Sequence, residues 1–140
     1  MGIIDGKMVA SQIKENITTE VQSLKKKTGK SPGLAVVLVG DDPASAVYVR
    51  NKNKTCNNIG FQSFENILPA NTSESELLNL IHELNNDEKV NGILVQLPLP
   101  NHIASKKILE AINPQKDVDG FHLENVGRLV TGNALFKPCT

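Results

Sequence analysis

A chain of 140 residues with 39% hydrophobic and 21% charged side chains has the size of one domain and enough apolar mass for a core, which excludes whole-chain disorder. Lys+Arg and Asp+Glu stand at 15 each, so a net charge of zero supplies no long-range pull toward nucleic acid or an anionic membrane. No apolar run approaches the roughly 18 residues of a membrane span. Cys56 and Cys139, far apart, make neither a disulfide framework nor a zinc site.

The first residues, MGIIDGKMVAS, lack the basic and apolar regions of a secretory signal. With the cysteine usage this predicts a reducing, cytoplasmic location. Val9, Ile13, Ile17, Val21 and Leu24 recur at steps of four and three, which predicts an amphipathic helix over 7–27. Lys25-Lys26-Lys27 suits the last turn of that helix, where cations complement the dipole, and Gly29 ends it. Residues 34–39 form a continuous apolar run, the mark of a strand buried on both faces.

Asp42 is a good N-cap and Pro43 fits the first helical position, so a helix is predicted over 44–58, closed by Gly60. Residues 61–68 read as a second strand. Ser73 and Glu76 form a capping box ahead of a helix bearing Leu77, Leu80, Ile81 and Leu84. Residues 92–97 read as a third strand and 103–112 as a short helix stopped by Asn113-Pro114. Beyond Pro114 the pattern weakens among Gly120, Gly127 and Gly132. Alternation of strands and helices predicts an α/β fold: three αβα layers, a mostly parallel sheet and right-handed crossovers.

In such sheets ligands bind beyond the carboxyl ends of the strands. Ser45, Tyr48 and Lys52 lie at steps of three and four, on one helix face near that rim. A hydroxyl, a phenol and an ammonium together can handle protons; the bland alternative is a solvated face. Gln96 ends an otherwise apolar run. It is either a buried amide that orients a neighbour or a strand-end residue that has reached water. Pro98 and Pro100 stiffen the loop that follows. Asp117-Val118-Asp119-Gly120 is an acidic turn, weak as a metal site and ordinary as an Asx-type turn. Asp119 can also accept hydrogen bonds from an amino-substituted heterocycle. His82, His102 and His122 show no ligand spacing, and His82 reads as a surface residue. No GxGxxG, Walker-A, GxSxG or HExxH motif is present.

The segments VVLVGDDPASAVYVRNKNKTCNNIGF, GILVQLPLP and NPQKDVDGFHLENVGRL, followed by KPCT, resemble in order and spacing the signatures of the methylene-tetrahydrofolate dehydrogenase/cyclohydrolase family. The resemblance covers essentially the whole chain. It implies the N-terminal, folate-binding catalytic domain of a bifunctional enzyme over residues 1–140. Such enzymes oxidise 5,10-methylene-tetrahydrofolate with NADP and hydrolyse the methenyl product to 10-formyl-tetrahydrofolate. By position, Lys52 matches the family's catalytic lysine and Tyr48 the tyrosine that stacks on folate. Gln96 matches the glutamine bonded to that lysine, and Asp119 the aspartate that holds the pterin. Ser45 matches the serine near the lysine, and Pro98 and Leu99 match pocket-wall positions.

The family continues past PCTP into an NADP-binding domain through which it mainly forms homodimers, whereas this sequence stops at Thr140. The expectation is therefore a domain fragment, a monomer, without dehydrogenase activity and with weak cyclohydrolase activity. A catalytically silent folate-binding module is the competing expectation.

Overall fold

The computed structural model describes residues 4–138. The elements follow in the order α1 (Gly6–Thr28), β1 (Gly33–Val39), α2 (Pro43–Ile59), β2 (Gln62–Leu68), α3 (Glu74–Asn86), β3 (Gly92–Val95), α4 (Ser105–Ala111) and α5 (Leu123–Val130). The three strands form one parallel sheet in the order β2-β1-β3. The predicted α/β architecture is what forms.

Local chemistry explains the boundaries. Asp5 Oδ1 accepts from the Lys7 and Met8 backbone amides, and Gly29 closes α1 with φ 72° after three lysines. Such a left-handed cap carries no Cβ penalty only at glycine. Asp42 caps α2 with Pro43 at its first position, and the Ser73–Glu76 capping box opens α3.

β1 lies in the middle and its side chains alternate between faces. Ala35, Val37 and Val39 join Leu77, Ile81, Ile93 and Ile108 in the larger core, under α3 and α4. Val36 and Leu38 point the other way, against Val49 of α2 and Leu94 of β3. Both faces are covered, so the strand reads as an unbroken apolar run. α1 packs along α2. It buries Val21 only, while Val9 and Ile13, which the periodicity assigns to the same face, are 42% and 52% exposed.

Two expected boundaries shift, and a helix forms where the sequence pattern assigns no element. The third strand stops at Val95, not Leu97: the Gln96 amide still donates to Val37 O at 2.8 Å, but Pro98, with no N–H to donate, cannot continue the ladder. The short helix covers 105–111 rather than 103–112, because Ile103 and Ile112 are buried as flanking anchors. α5 forms where the pattern fades. Its start is fixed by the His122 ring, whose Nδ1 accepts from the Glu124 amide. Cys139 and Thr140 lie outside the described residues. Cys56 is a free, buried thiol, and burial raises its pKa. Among the described residues, no helix is long and apolar enough to cross a membrane.

Candidate functional site

The parallel register brings the ends of β1, β2 and β3 to one rim, with Val39 beside Leu68 and Val95 beside Val37. α2 starts at that rim, and the Lys52 side chain reaches Gln96, just past the end of β3. Lys52 Nζ donates to Gln96 Oε1 at 3.1 Å, a contact between residues 44 apart in sequence. Gln96 Nε2 donates to Leu97 O at 2.8 Å. That second bond settles the amide's orientation and turns its oxygen toward the lysine. Gln96 is half-buried, so neither extreme of the sequence reading holds: it is a rim residue that orients a neighbour.

Asp119 is the third member. Burial raises its pKa, the nearby Lys52 charge opposes that rise, and the Asp117 carboxylate adds to it. An ammonium, an amide and a carboxyl of raised proton affinity therefore share one edge of the sheet. Because the fold favours the neutral carboxyl, its stabilising contribution is complete at low pH and is lost as pH rises through the folded pKa. Asp119→Asn is accordingly expected to melt higher than the parent near about pH 7, with the gain closing toward about pH 3. Thermal melts across that range check the sign.

The other expected site residues are placed unequally. Ser45 is buried, and its amide donates to Asp42 Oδ1 at 2.7 Å. That amide and the Ser45 hydroxyl hold the Asp42 carboxyl below its ordinary value. Tyr48 is 63% exposed, its ring open to solvent one helical turn before Lys52. Pro98 is exposed on the rim. Leu99 is only 8% exposed and packs in the α3/α4 core.

The acidic turn gains no further ligands: among the described residues, no group of three or more His, Cys, Asp or Glu could hold a metal. A cavity of about 910 Å³ opens at the opposite end of the strands, between Leu24, Pro32, Gln62, Asp87 and Asn91. It lies away from Lys52 and Gln96.

Sequence reasoning missed the support beneath the turn. Asp117, only 1% exposed, accepts from the His122 amide and from Asn125 Nδ2, both at 2.9 Å. Lys116 Nζ donates to the carbonyls of Leu84, Asn85 and Asp87 at 3.1, 2.7 and 2.9 Å, which ties the turn to the end of α3. Spacing alone carries no signal of either, since the partners come from other elements.

The chain is similar to proteins of one family. The model of the tetrahydrofolate dehydrogenase/cyclohydrolase catalytic domain matches residues 4–119. The chain is 59% identical over 138 residues to a bifunctional protein FolD of Magnetococcus marinus, covering 99% of this chain and 48% of the relative. The bifunctional protein FolD of Geotalea uraniireducens is 60% identical over 138 residues, 99% and 49% of the two chains. A crystal structure of the bifunctional FolD enzyme of Campylobacter jejuni superposes with TM-score 0.93 at 51% identity, over 96% of this chain and 48% of that one. The Trypanosoma brucei dehydrogenase-cyclohydrolase, solved with NADP cofactor and inhibitor, gives TM-score 0.94 at 38% identity, over 99% and 48%. The chain thus spans about half the length of the curated relatives it matches. By sequence and fold, it belongs to the tetrahydrofolate dehydrogenase/cyclohydrolase family.

Proposed function

We propose that these residues form the folate-binding catalytic half of an enzyme of one-carbon metabolism. The enzyme oxidises 5,10-methylene-tetrahydrofolate to the methenyl form with NADP and hydrolyses that to 10-formyl-tetrahydrofolate. The Lys52 Nζ to Gln96 Oε1 bond of 3.1 Å is the observation that carries the reading. It joins two residues that have no folding need to meet at an open rim.

For the hydrolysis, the substrate is a delocalised cation with an electrophilic carbon. Water adds to that carbon and gives up one proton; the hydroxyl so formed then loses its own as the carbon–nitrogen bond to the ring nitrogen breaks and the formyl carbonyl forms, that nitrogen takes up a proton, and one proton is released overall. Lys52 moves protons at the reacting water. Gln96 occupies one Nζ hydrogen and leaves the others facing the rim, which restricts where the proton can go. Asp119 receives the amino-substituted edge of the pterin, and Tyr48 offers its exposed ring as a stacking surface. Ser45, Pro98 and Leu99 border that space.

The turn after β1 does not fit a dinucleotide. The turn after β1 is Gly40-Asp41-Asp42-Pro43, and the Asp42 carboxylate already takes the Ser45 amide at the start of α2. A pyrophosphate would need those amides and would meet that negative charge. NADP is therefore assigned to another part of the parent protein, along with the homodimer contact, and no step is drawn through it. A cytoplasmic location and the lack of a nucleic-acid partner belong to the same reading.

The test is to express the protein from its own gene and supply methenyl-tetrahydrofolate, then methylene-tetrahydrofolate with NADP or NAD. Turnover of both supports the reading. Tight folate binding without turnover of either would instead establish a silent folate-binding module.

A further inference from the structure

We propose that Asp117 and Asn125 are a buried positioning couple that sets where Asp119 sits beside Lys52, and thereby governs folate recognition without touching the lysine. The inference rests on the folate reading above and deepens it.

The geometry is that of a closed loop. Asp117 Oδ2 accepts from the His122 amide at 2.9 Å, and Asp117 O accepts from the Gly120 amide at 3.3 Å. Residues 117–122 are thus cinched twice onto Asp117, with Asp119 inside both loops. Asn125 of α5 completes the frame. One hydrogen of its amide goes to Asp117 Oδ2 at 2.9 Å and the other to Pro114 O at 2.8 Å. That amide bridges the chain before and within the loop, while its own Oδ1 is buried without a hydrogen-bond partner. Asn125 is 3% exposed and Asp117 1%. An unmatched buried acceptor is a cost, so the amide is held here by its two donors.

The frame does not float. Ile93 N of the neighbouring strand donates to Lys116 O at 2.7 Å, and Ile93 and Asp117 form a parallel bridge. Lys116 Nζ spends its three hydrogens on the end of α3. The loop is therefore rigid relative to the rim that carries Gln96. Buried hydrogen bonds in a low dielectric penalise any other arrangement of the turn, which leaves Asp119 one position. The Asp117 charge also acts across the loop, reinforcing the effect of burial on the Asp119 carboxyl.

The test compares Asn125→Ala, Asp117→Ala and Asp117→Asn, in the protein expressed from its own gene. Asn125→Ala removes both donors of the bridge, and Asp117→Ala removes the acceptor of both side-chain ties. Asp117→Asn keeps an amide oxygen that still accepts from the His122 amide and Asn125 Nδ2, so it removes the charge and leaves the ties. Each alanine variant is expected to raise KM for the folate substrate about tenfold or more, with a smaller change in kcat. Asp117→Asn is expected to hold KM near the parent while the acidic limb of its kcat/KM profile moves to lower pH, because the neighbouring charge is gone. Should Asp117→Ala fail to fold by circular dichroism, Asn125→Ala, which leaves Asp117 its His122 donor, reads the same KM. Parental KM in folded alanine variants would overturn the proposal, as would an Asp117→Asn variant whose KM rises as far as that of Asp117→Ala. Lys52→Met run in parallel separates the two levels: an inactive Lys52→Met with unaffected Asp117 and Asn125 variants sinks the couple alone, whereas an active one sinks the folate reading beneath it.

Discussion

Replacing Lys52 with methionine is expected to lower hydrolysis of methenyl-tetrahydrofolate by about 10²–10⁴-fold, the usual worth of a positioned proton-transfer group. The stem length is kept, so the half-buried part of the side chain still covers α2 and the fold is expected to survive. What disappears is the ammonium and its bond to Gln96 Oε1. Gln96 keeps its tie to Leu97 O, so the rim itself does not collapse. Steady-state kinetics alongside a thermal melt distinguish loss of chemistry from loss of structure. A folded variant with parental kcat would mean that another group moves the proton.

The largest stability effect is expected far from that site, at Gly33. A methyl group there would overlap the backbone oxygen of Lys89 and lie 2.8 Å from the Phe64 ring. The obstacle is main chain, which cannot rotate away as a side-chain tip would. Gly33 also exchanges hydrogen bonds with Asn91: its amide donates to Asn91 Oδ1 at 2.9 Å, and its carbonyl accepts from the Asn91 amide at 2.8 Å. Relief of the overlap would therefore pull β1 from the segment leading into β3, at the start of the central strand. Gly33→Ala is expected to cost about 3 kcal/mol or more, at or beyond the upper end for overpacking, and to lower Tm by about 10 °C. Chemical denaturation and a thermal melt check it. A variant as stable as the parent would show that the Lys89 segment yields easily.

These two expectations draw on different kinds of information. Lys52 was singled out by helical spacing from Ser45 and Tyr48, but spacing could not distinguish a proton-handling face from a solvated one. Only the parallel register, which lays the end of β3 beside β1 and under α2, brings Gln96 within hydrogen-bond reach of Nζ. Gly33 carried no signal at all, because what excludes a side chain there is a backbone oxygen 56 positions further on.

By itself the sequence determined the local order of the fold. The apolar run of β1, the Asp42-Pro43 start of α2, the capping box of α3 and the glycine stops after α1 and α2 are short-range effects, written in neighbouring residues. The tertiary structure alone decided that Leu99 serves the core, that α5 forms where periodicity fades, and that Asp119 hangs from a buried Asp117–Asn125 frame. The reason is physical. Caps and periodicity act within a few residues, whereas burial and the shift they impose on a carboxyl depend on atoms that only the folded chain brings close.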